Sequence, residues 1–321
     1  MVAGRLLVVC KDDQALEVID LPSGETVGRI RASGYTPHEV AATHDGGRAY
    51  LPIYSDAWLG DPGTDGRAID VIDLDSMGLI GSIAIDIPSR PHFPIVGHDG
   101  LLLVSTELDE SISVFDPTAG VRVGRLPTGR PQPHMFVTSP AGDRAYSANV
   151  NTGTVSIMDV ATQSLLDVVT VTDKINRISI TPDGMQLFTA DQNRARLGVI
   201  DLRDRSVSWM DLPSRGFGTA VTPDGRHLVV ALRWESQIGI IDLPSRSMTS
   251  GVDVPAEPQA IVIHPDGTHA YSACDAAGQV VEVDLRSGQV SRVFDVGRNP
   301  DGLCWAAVPE PQAPGTSSPV S

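Results

Sequence analysis

Positive charge is scarce in this sequence. Its 321 residues carry 24 lysines and arginines against 40 aspartates and glutamates, a formal net charge of −16. Proteins that grip a nucleic-acid backbone bring clustered cations to displace its counterions. The balance therefore argues against a nucleic-acid partner, and against an anionic membrane surface for the same reason. Cysteine is nearly absent too: Cys10, Cys274 and Cys304 are odd in number and lack CxxC spacing, which removes a disulfide framework and a zinc knuckle. No apolar run approaches eighteen residues, and the opening stretch Leu6–Cys10 breaks at Lys11, too early for a signal-peptide core or a membrane span. The chain as written reads as soluble and cytoplasmic. Nucleophile elbows of the GxSxG type, HExxH, GxGxxG and P-loop motifs are missing as well.

What is present is turn chemistry: 31 glycines and 24 prolines in a chain that is 41% hydrophobic, enough to bury a core. The turns are periodic. An apolar strand ending in aspartate recurs at Asp20, Asp73, Asp116, Asp159, Asp201, Asp242 and Asp284, at spacings of 53, 43, 43, 42, 41 and 42 residues. A turn resembling Ser/Thr-Pro-Asp-Gly recurs in step, ending at Gly46, Gly100, Gly142, Gly184, Gly225 and Gly267. Each unit divides into four short strands with no sustained helical period. Four strands per 40 to 45 residues is the mark of a propeller blade, and seven copies predict an all-β, seven-bladed β-propeller over residues 1–307. The first unit begins at its turn glycine, Gly4, and so lacks an innermost strand. Asp301–Ala306 is expected to supply it, closing the ring without an open edge and excluding a two-domain chain. The Pro/Ser-rich segment 308–321 is expected to be a disordered tail.

The segments Tyr146-Ser-Ala-Asn149, Phe188-Thr-Ala-Asp191 and Tyr271-Ser-Ala-Cys274, each after its PDG-like turn, resemble the repeats of the YVTN family of β-propellers. WD repeats are not a match, since no unit carries their GH and WD dipeptides. The resemblance implies the propeller fold and leaves function wide, because such propellers include lactonases acting on sugar acids, a muconate-type cycloisomerase, antibiotic-opening lyases, binding proteins and surface proteins.

Function should lie where the copies differ. Eight residues before each turn glycine stand His38, His92, His134, Asn176, Phe217 and Gln259, with Asp301 equivalent in the closing strand. The three histidines each follow a proline and come from consecutive blades, which places them around one mouth of the central channel. Neutral imidazoles at that spacing suit a divalent metal such as Zn, Fe, Ni, Cu or Mn, or acid–base chemistry. Alternatively, each ring bonds a backbone carbonyl and serves the scaffold. His44, His98 and His264 fall in turns of the opposite face, and His227 and His269 on second strands.

Two residues before the ring positions come Thr36, Arg90, Gln132, Lys174, Arg215, Glu257 and Asn299, and Arg177, Arg233 and Arg298 lie on the same face. Cations gathered at one mouth of an acidic protein would favour a small anionic substrate, unless they pair with nearby acids such as Glu107, Asp191, Glu235 and Asp275. The second unit carries about ten extra residues in Ser55–Gly66, a candidate lid that would set Trp58 over the mouth. The reading is a small-molecule enzyme, a lyase, isomerase or lactone hydrolase. His38, His92 and His134 are its catalytic or metal-binding groups, and Arg90, Arg177, Arg233, Asn176 and Trp58 bind the substrate. A non-catalytic propeller that binds a metabolite or protein is the alternative.

Overall fold

The structure is a computed structural model that describes residues 4–57, 59–86 and 89–308. Its strands form seven four-stranded antiparallel sheets. Blade 1 joins Arg5–Cys10, Ala15–Asp20 and Thr26–Arg31 to Pro300–Ala306 from the far end of the chain. Blades 2 to 7 follow in sequence over residues 41–84, 91–127, 133–170, 175–211, 219–253 and 258–295. The protein is a seven-bladed β-propeller.

The repeated aspartate is explained by the hairpin it starts. In every blade it ends the third strand and its carboxylate accepts hydrogen bonds from residues two or three positions on, as Asp20 does from Ser23 and Asp159 from Thr162. The turn glycines between first and second strands are required by conformation: Gly46, Gly100, Gly142, Gly184, Gly225 and Gly267 have φ between 69° and 80°, where a Cβ is strained.

The middle two strands of each blade are buried on both faces, and the apolar residues form seven clusters, one at each seam between neighbouring blades. The seam between the last and first blades joins Leu6, Val8 and Leu303 to Ala260, Tyr271 and Phe294. The closing strand pairs with Arg5–Cys10 from Arg5↔Ala306 to Cys10↔Pro300, so the predicted closure is present.

Two local features shape the channel mouth. Thr36, Arg90, Gln132, Glu257 and Asn299 have φ between 40° and 60°, and each directly precedes a proline. Five of the innermost strands carry one extra residue relative to their partner, at His92–Phe93, His134–Met135, Asn176–Arg177, Gln259–Ala260 and Asp301–Gly302. A bulge of this kind re-aims side chains beside functional sites. In blade 2 the regular strand shrinks to Ala41–Ala42, with only the bridge Pro37↔Ile53 before it, so His38 and Glu39 lie in irregular backbone.

Candidate functional site

The mouth opens into a cavity of about 380 Å3. His38, His92 and His134 line it together with Asn176, Arg177, Phe217, Gln259 and Asp301. His92 sits between its neighbours, with ring centres 5.2 Å from His38 and 3.7 Å from His134, the latter pair stacked at 29°. Tyr54 meets His38 and His92 edge-on, at 4.9 and 5.2 Å between ring centres.

A charged cluster crosses the floor. Arg177, from blade 5, donates through Nη2 to Glu39 of blade 2 at 2.8 Å and to Asp301 of blade 1 at 3.0 Å. Lys11 Nζ lies 3.0 Å from the other oxygen of Asp301, and His38 Nδ1 lies 3.2 Å from that same oxygen. Burial alone would raise Asp301, but Lys11, the His38 bond and Arg177 hold it well below the usual carboxylate range. Glu39 is pushed the other way, because burial outweighs its single guanidinium contact. An ionised Asp301 accepts from Nδ1–H of His38 and so leaves the Nε2 lone pair of that ring free for chemistry.

All three imidazoles are held neutral. Burial depresses His38 against the opposing pull of Asp301, depresses His92 strongly, and takes His134 to about 3. As the pH falls from about 6.5, the unfolded chain takes up protons that these buried rings refuse. Stability should therefore fall with pH, with a slope of up to about 1.4 kcal/mol per pH unit for each ring. Urea unfolding of wild type and His134→Asn between about pH 7 and pH 4.5 checks this, and the variant should lose less stability across that window.

The buried polar atoms without a protein partner concentrate here. Among the described residues, His92 Nδ1, His134 Nδ1, Arg177 Nε and Asp275 Oδ1 are such atoms, and all four residues line the cavity. Interiors rarely leave donors unsatisfied unless water or a ligand meets them. The charged residues of the lining are four cations, Lys11, Lys174, Arg177 and Arg233, against three carboxylates, Glu39, Asp275 and Asp301.

The other expected site residues are placed differently. Arg233 lines the cavity but also bonds Gln259 at 2.7 Å, Glu257 at 2.5 Å and Asp275 at 2.6 Å. Arg90 is not part of the lining. Its left-handed backbone turns it toward the long insertion, where it bonds Asp65 and the Asp61 carbonyl, both at 2.6 Å. Glu107 holds the same loop, accepting from Gly60 N at 3.1 Å and from the Tyr54 hydroxyl. Among the described residues of the loop, Leu59 reaches the cavity; Trp58 lies outside the described residues.

Sequence comparison of the ring positions overlooked Lys11, Tyr54 and Glu39. The first two belong to a second ring, at the end of each second strand: Lys11, Glu107, Val150, Gln192, Arg233 and Asp275 directly follow their strands and Tyr54 lies at the end of Arg48–Ser55, all seven or eight residues beyond the turn glycine. Five of them line the cavity. Glu39 and Arg177 share a third set, the residue after each ring position. Its other members include Gly218, Ala260 and Gly302, which leave room for the two long side chains to meet. A Cβ on Gly302 would stand 2.7 Å from Glu39 Oε2, and one on Gly218 would stand 3.5 Å from Arg177 Cδ.

No protein-family model matches the chain, and no curated protein matches it. Among solved structures it is similar to a chain of Kuenenia stuttgartiensis hydrazine synthase, with a TM-score of 0.72 and 16% identity over 89% of this chain and 90% of that one. What the two share is the fold. At that identity the likeness does not extend to chemistry, and membership of the YVTN family is not shown by it.

The three histidines meet only part of what a metal centre requires. Neutral rings and orphaned nitrogens suit a divalent first-row ion. With bonds of about 2.0–2.1 Å, two rings on one tetrahedral ion hold their centres roughly 5 Å apart. His38 and His92 meet that condition, while the 3.7 Å stack of His92 on His134 does not. Among the described residues no three His, Cys, Asp or Glu side chains are arranged as a ligand set.

Proposed function

We propose that the channel mouth is the active site of an enzyme that acts on a small anionic metabolite by proton transfer, of lyase, isomerase or lactone-hydrolase type. The observation that carries this reading is the His38–Asp301 pair facing a cavity lined by residues with unpartnered buried polar atoms. A base needs a free lone pair, a partner that fixes its tautomer, and room for a substrate proton within reach. His38 has the first two from Asp301, whose negative charge is in turn fixed by Lys11 and Arg177. The excess of cations over carboxylates, with Arg177 Nε unpartnered, supplies the attraction for an anion. A divalent metal on His38, His92 and His134 is a further part of the proposal that would require the stacked rings to part. No proton transfer described here depends on it, and elemental analysis of the purified protein tests it directly.

Proton abstraction can be read without knowing the product. In deuterium oxide, the wild type should exchange a carbon-bound proton of at least one acid in a panel of small carboxylates, or open a lactone with measurable acid release. His38→Ala should lower either rate by about 10^2- to 10^4-fold. Saturable binding of acids with neither activity, the binding unchanged by His38→Ala, would establish the binding module instead.

A further inference from the structure

The walls of the cavity are flat as well as cationic. Phe217 lines it with the Arg177 guanidinium 5.8 Å and the Arg233 guanidinium 5.3 Å from its ring centre. Trp234 stands edge-on to Phe217 at 6.4 Å, is 46% exposed, and is covered on one side by Arg215 at 4.0 Å. The stacked imidazoles of His92 and His134, which line the same cavity, form a second planar surface. Planar side chains and guanidinium groups thus share the lining, and the unpartnered Arg177 Nε calls for an oxygen acceptor.

We infer that the acid taken by this cavity is planar and conjugated, an aromatic or unsaturated carboxylate. Its carboxylate meets Arg177, and its π-system lies between the His134 imidazole and Phe217. This rests on the small-anion reading above and narrows its substrate class. A saturated acid of equal size would fill the same volume but lose the ring-to-ring and cation-to-ring attraction. A free inorganic anion would satisfy the floor and leave the walls unused.

The test is isothermal titration of the purified full chain with benzoate, cinnamate, cyclohexanecarboxylate, acetate and inorganic phosphate. Benzoate and cinnamate should bind about fivefold or more tightly than cyclohexanecarboxylate, the scale of one aromatic pairing. Phe217→Leu should bring that ratio close to one while acetate binding is retained. His134→Gln, which keeps hydrogen bonding but removes the flat ring, should lower the ratio in the same direction, and melting temperatures report whether each variant is folded. Equal affinity for benzoate and cyclohexanecarboxylate overturns the planar-acid inference and leaves the anion site standing. If none of the five probes binds, both readings fall together.

Discussion

Asp301→Ala should cost about 3–5 kcal/mol of stability, the scale for removing one partner from a buried ion cluster. Asp301 is 5% exposed and is shared by Lys11, Arg177 and His38 at 3.0 to 3.2 Å. Without it, among the described residues, Lys11 keeps no carboxylate within ion-pair distance and Arg177 depends on Glu39 alone. That substitute is poor, because burial already works against the charged form of Glu39. Asp301→Asn should cost less, since an amide oxygen still accepts hydrogen bonds, yet it removes the charge that sets the His38 tautomer. The two variants thus separate stability from chemistry: alanine should shift the urea midpoint strongly, while asparagine should abolish proton transfer in a protein that still folds. An alanine variant within about 0.5 kcal/mol of wild type would mean that water replaces the carboxylate at no cost.

Ending the chain before Pro300 should have the larger effect. The missing strand pairs with Arg5–Cys10 along its length and contributes Leu303 to the seam between blades 7 and 1. Burial of a leucine is worth about 1.5–3 kcal/mol, but the greater loss is closure. Leu6, Leu7 and Val8 are fully buried in the closed ring and would stand at an open edge, which invites pairing with other chains. Size-exclusion chromatography should find aggregate in place of monomer, and circular dichroism should show the loss of a cooperative thermal transition. A truncated protein that remained monodisperse with an unchanged melting temperature would show that the remaining strands close the propeller by themselves.

Blade number, strand order and closure were legible because they rest on local requirements repeated around the ring. The aspartate after the third strand must cap its hairpin, the turn glycine must adopt positive φ, and alternating apolar residues must fill a seam. These constraints act within a few residues of one another and leave a periodic trace. The shared face of His38, His92 and His134 followed from the same register, as did the place of the long insertion in blade 2. The expected tail lies beyond Val308, outside the described residues except at that first position.

Pairings across the channel leave no such trace. Arg90 and Arg177 looked alike as arginines near one mouth. Yet Arg90 follows a left-handed turn into the insertion, while Arg177 sits on a bulge that carries it over the axis to Glu39, 138 residues away in sequence. Whether an arginine is free for an anion depends on which acids the ring brings opposite it, and that is set by the summed twist of seven blades. Composition and periodicity by themselves determined the propeller, its closure and the mouth where the copies diverge, because those depend on short-range turn chemistry and burial. Only the tertiary structure decided the charge of the site. Asp301 and Glu39 gain their ionisation states from burial and from partners contributed by three different blades.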